Sequence, residues 1–285
     1  MVSALRATAG SGCEYGGDVL DDHHQDVSTV KSVPAAPSVE RNPARPGGAS
    51  RLASWSPTAP SPGRAGDPSI TISQRLTSRR VAVLFAGFLA LWVAAWLLAL
   101  ALGWSEATAY WAVAKVVVWV LYPVWFWRAP VREQLAFVGL RARDLPRGVA
   151  WGAAATAVWV GLSLAVAPLR GQRYVPAPVT FDTLYTCLLT PVCEEWLFRG
   201  YLQSAFLGLG RRFWTANGLT SLLFLAPHLV GWSFKGVLGA NALSVYPLTI
   251  FTLSLALGFV RHRSGSLVAS MLVHAGNNAF TTWWR

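Results

Sequence analysis

The sequence predicts an all-α, polytopic helical membrane protein of about seven to eight transmembrane helices behind a disordered N-terminal tail. Three observations predict it. Hydrophobic residues make up 53% of the chain and charged residues 13%, with 15 tryptophans; an ordinary soluble domain is about 25% charged. Apolar runs recur at close to the roughly 20 residues a helix needs to cross hydrocarbon. Basic residues between those runs favour every second loop, the asymmetry that orients helical membrane proteins.

Residues 1–76 read as the tail. Prolines from Pro34 to Pro68 are mixed with Ser, Ala, Gly and Arg, leaving too little apolar surface to offset the entropy of ordering. No basic, then apolar, then small-residue pattern marks a secretory signal peptide. His23 and His24 beside Asp21, Asp22 and Asp26 read as solvated tail rather than as a metal site.

From residue 77 to 285 the chain reads as one membrane domain. Seven runs qualify as spans: 81–103, 107–127, 148–167, 181–203, 214–231, 241–260 and 265–283. They are rich in Ala and Leu and lack period-two alternation, so they predict helices. Lipid permits only helices and closed barrels, because every backbone group must be satisfied internally. Arg75, Arg79 and Arg80 precede the first run, and no basic residue lies in the next loop near Ser105 and Glu106. The second loop is basic, with Arg128, Arg132, Arg141, Arg143 and Arg147. The alternation places the N-terminus in the cytoplasm. Within 128–147, "REQLAFVGLRARDL" mixes apolar and basic residues and predicts an eighth, half-buried interfacial segment.

The net charge of +11 does not signal nucleic-acid binding, because the basic residues sit in the tail and in short loops rather than in one patch. Cys13, Cys187 and Cys193 have neither metal-ligand spacing nor a disulfide framework. No internal repeat suggests a transporter built from inverted halves.

The informative residues are those that do not suit lipid. Within the runs these are Lys115, Glu194, Glu195, Arg199, His228 and His274, with Asp182 at an end and the amides Asn277 and Asn278. A charge at the bilayer centre costs about 2.5–3.5 kcal/mol on insertion scales, so each is read first as functional. Glu195 and Arg199 are four residues apart and share a helix face, so they pair. Glu194 points away and is left without a partner on its own helix. Such a carboxylate suits a general base or acid. Pro191 removes a backbone hydrogen bond and favours an irregular helix beside it. Lys115 reads as snorkelling or as paired within the bundle. Phe224 and His228 share a face, as do His274 and Asn278, and Gly276 allows close helix approach. His228, His274 and Asn278 have a plainer reading as hydrogen-bonding glue between helices.

Together these residues suffice for hydrolysis by an activated water. Glu194 takes the proton with His228, while His274 and Asn278 donate to the oxyanion. Cys193 adjoins Glu194 but looks packed in apolar surroundings rather than activated as a nucleophile.

"EEWLFRG", "FLAPH" and "HAGNN" resemble the EExxxR, FxxxH and HxxxN motifs of the CPBP family, the CAAX-protease and bacteriocin-processing group of intramembrane endopeptidases. The resemblance covers roughly residues 130–283. It implies a helical membrane endopeptidase of the glutamic type. Glu194, His228, His274 and Asn278 are then catalytic, with Glu195, Arg199 and Phe224 supporting them. In this family the first glutamate is held to activate water together with the first histidine.

The expected substrate is a membrane-embedded or lipid-proximal peptide or protein. The expected location is a bacterial cytoplasmic membrane, as the Ala-, Arg- and Trp-rich composition suggests. No cofactor is expected. An alternative has Glu194, His228 and His274 hold zinc, with water in the fourth position. Two other functional readings remain: a non-catalytic membrane protein of the bacteriocin-immunity or chaperone-like kind, and a proton-coupled transporter using the buried carboxylates.

Overall fold

The computed structural model describes residues 71–176 and 178–284. The tail prediction for residues 1–70, with Cys13 and the His23–His24 pair, lies outside the described residues. From Thr71 onward the chain is ordered into the fold. Thr71 and Gln74 cap each other across α1 (Ile72–Arg75), and Ile72 is buried. Residues 71–76, read as the end of the tail, instead carry one docked helical turn, because a single buried apolar residue with a capping box is enough to hold it.

The predicted runs fall largely on helix, but 241–260 is broken at residues 243–245 between two helices. α2 is Ser78–Ala101 and α3 is Thr108–Trp127. α4 (Val131–Val138) precedes α5 (Leu145–Val166). α6 runs through 181–208. α7 is Phe213–Phe234, and α8 is the short Leu238–Ala242. α9 (Tyr246–Ser264) and α10 (Leu267–Trp283) complete the fold. Among the described residues there is no strand, only one isolated bridge between Tyr174 and Trp284. By length and composition, helices within Ser78–Ala101, Thr108–Trp127 and Val131–Val166 are long and apolar enough to cross a membrane.

α2 shows how the composition is used. Leu84, Phe88, Trp92, Trp96 and Ala99 recur every three or four residues and are buried. Val83, Leu97 and Leu98 on the other side are half exposed. A helix apolar all round needs an apolar surrounding on its outer face, which a bilayer supplies. The inner face meets an aromatic core: Phe88 packs edge-on against Trp119 of α3 at 4.8 Å and against Phe198 of α6 at 6.0 Å. Trp96 stacks on Phe234 of α7 at 5.6 Å.

The interfacial segment is docked against the bundle. α4 ends at Gly139, whose φ of 87° lies in the left-handed region that favours glycine. Gln134 is buried and donates to the carbonyls of Ala129 and Val124 at 2.8 and 3.2 Å. Tyr201 of α6 donates to its side-chain oxygen. Arg261 of α9 donates to the Val138 carbonyl and to Ser204 at 3.2 and 3.0 Å.

α3 and α6 share an irregularity. Each contains a π-helical stretch that ends two residues before a proline: Val116–Leu121 before Pro123, and Tyr185–Leu189 before Pro191. Proline has no N–H and its ring crowds the carbonyl four residues back. A wider turn accommodates both problems, and π-turns of this kind cluster at functional sites. A second π-helical stretch, Trp196–Gln203, follows the two glutamates in α6.

α5 and α10 lie against each other through small residues. A Cβ on Gly152 would meet Leu272 Cδ1 at 2.8 Å and the Ala269 Cα at 3.0 Å. Gly276 in turn faces Thr156 of α5, as expected of a close helix approach. Replacing Gly152 with leucine should force the two helices apart. The expected cost is about 1–3 kcal/mol, read as a lowered midpoint of thermal unfolding in detergent, while Gly161→Leu, which faces open space, should leave that midpoint in place.

Candidate active site

The residues that do not suit lipid converge where α3, α6, α7, α9 and α10 meet. Glu194 and Glu195 lie between the two π-helical stretches of α6. Consecutive helical residues point about 100° apart, so the two carboxylates face different neighbours.

Glu195 is fully buried. Its Oε1 accepts from Arg199 Nη1 at 2.7 Å, the pair expected from their spacing. The same oxygen accepts from His274 Nδ1 at 2.9 Å. Arg199 is also buried, and its Nη2 donates to the Ser254 hydroxyl and carbonyl of α9 at 2.6 and 3.0 Å. Its guanidinium lies 4.6 Å from the centre of the Phe224 ring. Phe224 thus covers the ion pair with an aromatic face, a favourable cation–π placement.

Glu194 is not the unpartnered carboxylate that its own helix suggested. Lys115 of α3 donates to its Oε1, and both side chains are buried. The partner comes from 79 residues away, beyond anything helix spacing can indicate. Of the two readings for Lys115, pairing within the bundle is the one observed. Glu194 Oε2 remains turned towards His274 Nε2 at 3.7 Å, too long for a hydrogen bond.

The contacts assign the imidazole hydrogens. A carboxylate only accepts, so His274 Nδ1 carries a hydrogen. His228 donates from Nδ1 to the Phe224 carbonyl at 2.9 Å, leaving Nε2 as its free ring nitrogen. Phe224 lies between the two imidazoles, 6.1 Å from the His274 ring centre. The His228 ring lies 5.1 Å from that of Phe224.

Asn278 lies one turn beyond His274 and donates to the Thr186 carbonyl at 2.9 Å. That carbonyl belongs to the π-helical turn ahead of Pro191. Asn277 donates to Asn278 at 3.2 Å and accepts from Trp159 Nε1 of α5 at 3.1 Å. Both amides therefore tie helices together, as their plainer reading anticipated, and one hydrogen of the Asn278 amide is left uncommitted. Cys193 is buried and free, without a base placed to activate it.

Sequence reasoning gathered Glu194, Glu195, Arg199, Phe224, His228, His274 and Asn278, and the structure brings all of them together. It overlooked Ser254, a serine among many in apolar runs with no local signal. It listed Lys115 without finding its partner; the clue was a lone lysine inside an apolar run that also contained no acid.

The Lys115 ammonium already lies against Glu194, and a divalent ion there would repel it. Among the described residues no three His, Cys, Asp or Glu side chains gather as metal ligands.

Residues 176–280 match the family model of type II CAAX prenyl endopeptidase Rce1-like proteins. All three motifs fall within that segment, which is thus similar to the CAAX protease family that they resemble. No curated protein and no solved structure matches the chain. The match and the apolar helices together support an integral membrane protein in which residues 176–280 are similar to a protease family.

The Glu195–Arg199 pair should act first on stability. Arg199→Met leaves Glu195 buried without its cation, which costs about 3–5 kcal/mol when one partner of a buried pair is lost. The expected result is a large drop in the thermal midpoint in detergent, with the double variant Arg199→Met, Glu195→Leu recovering most of it.

Proposed function

We propose that this domain is an intramembrane endopeptidase that hydrolyses a peptide bond of a membrane-associated protein or peptide through a water activated by Glu194 and His228. The observation that carries the proposal is the Glu194 carboxylate. One of its oxygens is held by Lys115, and the other faces His274. That divides the group into an anchored half and a half available to accept a proton.

In the proposed reaction the water oxygen attacks the scissile carbonyl carbon and a C–O bond forms. The water proton passes to Glu194 Oε2, with His228 Nε2 orienting the water through its lone pair. The carbonyl π-electrons move to the oxygen, which becomes the oxyanion. His274 donates to it from Nε2, while Glu195 holds the ring through Nδ1. Asn278 adds the second hydrogen of its amide. Collapse of the intermediate breaks the C–N bond, and Glu194 returns its proton to the departing amine.

The reading is of a metal-free, glutamic peptidase. The Lys115 ammonium beside Glu194 supports it, since it supplies the positive charge that a metal would otherwise bring. In the same reading α2, α3, α5, α6, α7, α9 and α10 are the seven spans and α4 is the eighth, interfacial segment, with the N-terminus in the cytoplasm of a bacterial cell. Loop charge supports that orientation. The substrate is a peptide or a membrane-protein tail, because the site lies among helices that present apolar faces outward.

Glu194→Gln keeps the size of the side chain and removes the base. It should lower cleavage by at least about 10²–10⁴-fold, the usual contribution of a general base, with insertion and the unfolding midpoint preserved. Comparing the peptides released from membranes of cells carrying the wild type or Glu194→Gln reveals both the activity and its substrate. Full activity in the Gln variant would sink the proposal. Asn278→Ala should lower turnover by up to about 10²–10³-fold, as for one oxyanion donor, whereas a bacteriocin-immunity or chaperone-like protein releases no product in either background.

A further inference from the structure

Among the described residues Lys115 is the charged member of the cluster that lies outside the three motifs. It is 6% exposed and ends the α-helical part of α3, immediately before the π-helical stretch Val116–Leu121. Its ammonium touches Glu194 Oε1. It also lies 4.9 Å from the centre of the Trp119 ring and 5.9 Å from that of Tyr185. Two aromatic faces thus hold the cation in place independently of the carboxylate.

We propose that Lys115 is a positioning residue for the proposed peptidase reaction: it anchors Glu194 through Oε1 so that Oε2 faces His274 as a carboxylate ready to accept a proton. The inference rests on the reading of Glu194 as the base.

Three considerations carry it. Stability alone is a weak reason to keep such a pair, because apolar residues of similar volume often serve as well or better than a buried ion pair. Next, the charges balance pair by pair: Glu195 has Arg199, and Glu194 has Lys115. Without Lys115, Arg199 would be the one permanently charged cation beside two adjacent carboxylates in a low-dielectric site, where a carboxylate lacking a close cation is driven to take up a proton. A protonated Glu194 cannot accept one from water. Finally, the carboxylate has free torsions, and its second oxygen makes no hydrogen bond to hold the group, since the nearest histidine nitrogen is 3.7 Å away. The contact at Oε1 is what fixes the plane of the carboxylate, and a misplaced base loses much of its effect.

The test uses the full-length protein in lipid nanodiscs and an internally quenched peptide carrying the cleavage site found by the membrane-peptide comparison. Lys115→Met should lower kcat by about 100-fold or more, within the range a general base contributes, and leave KM unchanged. Lys115→Arg keeps the cation and should recover most of that loss. Adding Lys115→Met to Glu194→Gln should lower the residual rate no further, since the lysine acts only through that carboxylate. Should Lys115→Met not fold, Lys115→Gln replaces it, with the same expectation. Wild-type turnover in the neutral variants, a loss confined to KM, or a further fall in the double variant each overturn the proposal. A fully active Glu194→Gln instead removes the peptidase mechanism itself, so the two failures are told apart.

Discussion

The fold depends on keeping paired charge inside a bundle made otherwise of apolar residues. Each ionised side chain in hydrocarbon is costly when it stands alone. Here Glu194, Glu195, Lys115 and Arg199 are all buried and all paired. The pairing draws on separate helices: Lys115 comes from α3, the glutamates from α6, Ser254 from α9 and His274 from α10. Register follows from that. Sliding α10 by one turn would carry His274 about 5.4 Å from Glu195 and leave a buried carboxylate short of a partner.

The aromatic surroundings hold the geometry of this cluster. Phe198 packs edge-on against Phe224 at 4.9 Å, and Phe224 in turn lies under the Arg199 guanidinium. The same Phe198 reaches Phe88 and Trp119, so an aromatic wall runs from α2 to the site. Low polarity strengthens every contact inside it. The backbone contributes as well. The π-helical turns ahead of Pro123 and Pro191 flank Lys115 and the glutamates on their own helices. One of them offers the Thr186 carbonyl to Asn278, which fastens α10 beside the carboxylates.

How much of this was legible follows from the range of each interaction. Helix positions were legible because apolar run length and helix period are local properties, and the starts and ends of α2, α3, α5 and α6 fall within a few residues of expectation. The Glu195–Arg199 pair was legible for the same reason, since four residues is one helical turn. Contacts between helices were not. Lys115 and Glu194 are both visible as misfits in lipid, but only folding sets them against each other, and Glu194 consequently looked unpartnered. Ser254 gave no signal, because a serine in an apolar run is ordinary. The docking of α4 through Gln134, Tyr201 and Arg261 was foreshadowed only as a mixed apolar and basic stretch, since its anchors lie on α6 and α9.

The adjacency of the two glutamates has a geometric reason. A step of one residue turns the helix face by about 100°, so neighbouring carboxylates address different helices while staying close together. Glu195 turns to Arg199 and fixes the hydrogen of His274 at Nδ1. Glu194 turns to Lys115 and leaves its other oxygen towards Nε2 of the same ring. His274 therefore spans the two, with Nδ1 bonded to Glu195 and Nε2 turned towards Glu194. A separation of four residues would stack both acids on one face, and a single histidine could not distinguish them. The division of labour comes from the placement of one imidazole across two adjacent carboxylates, each held by its own cation.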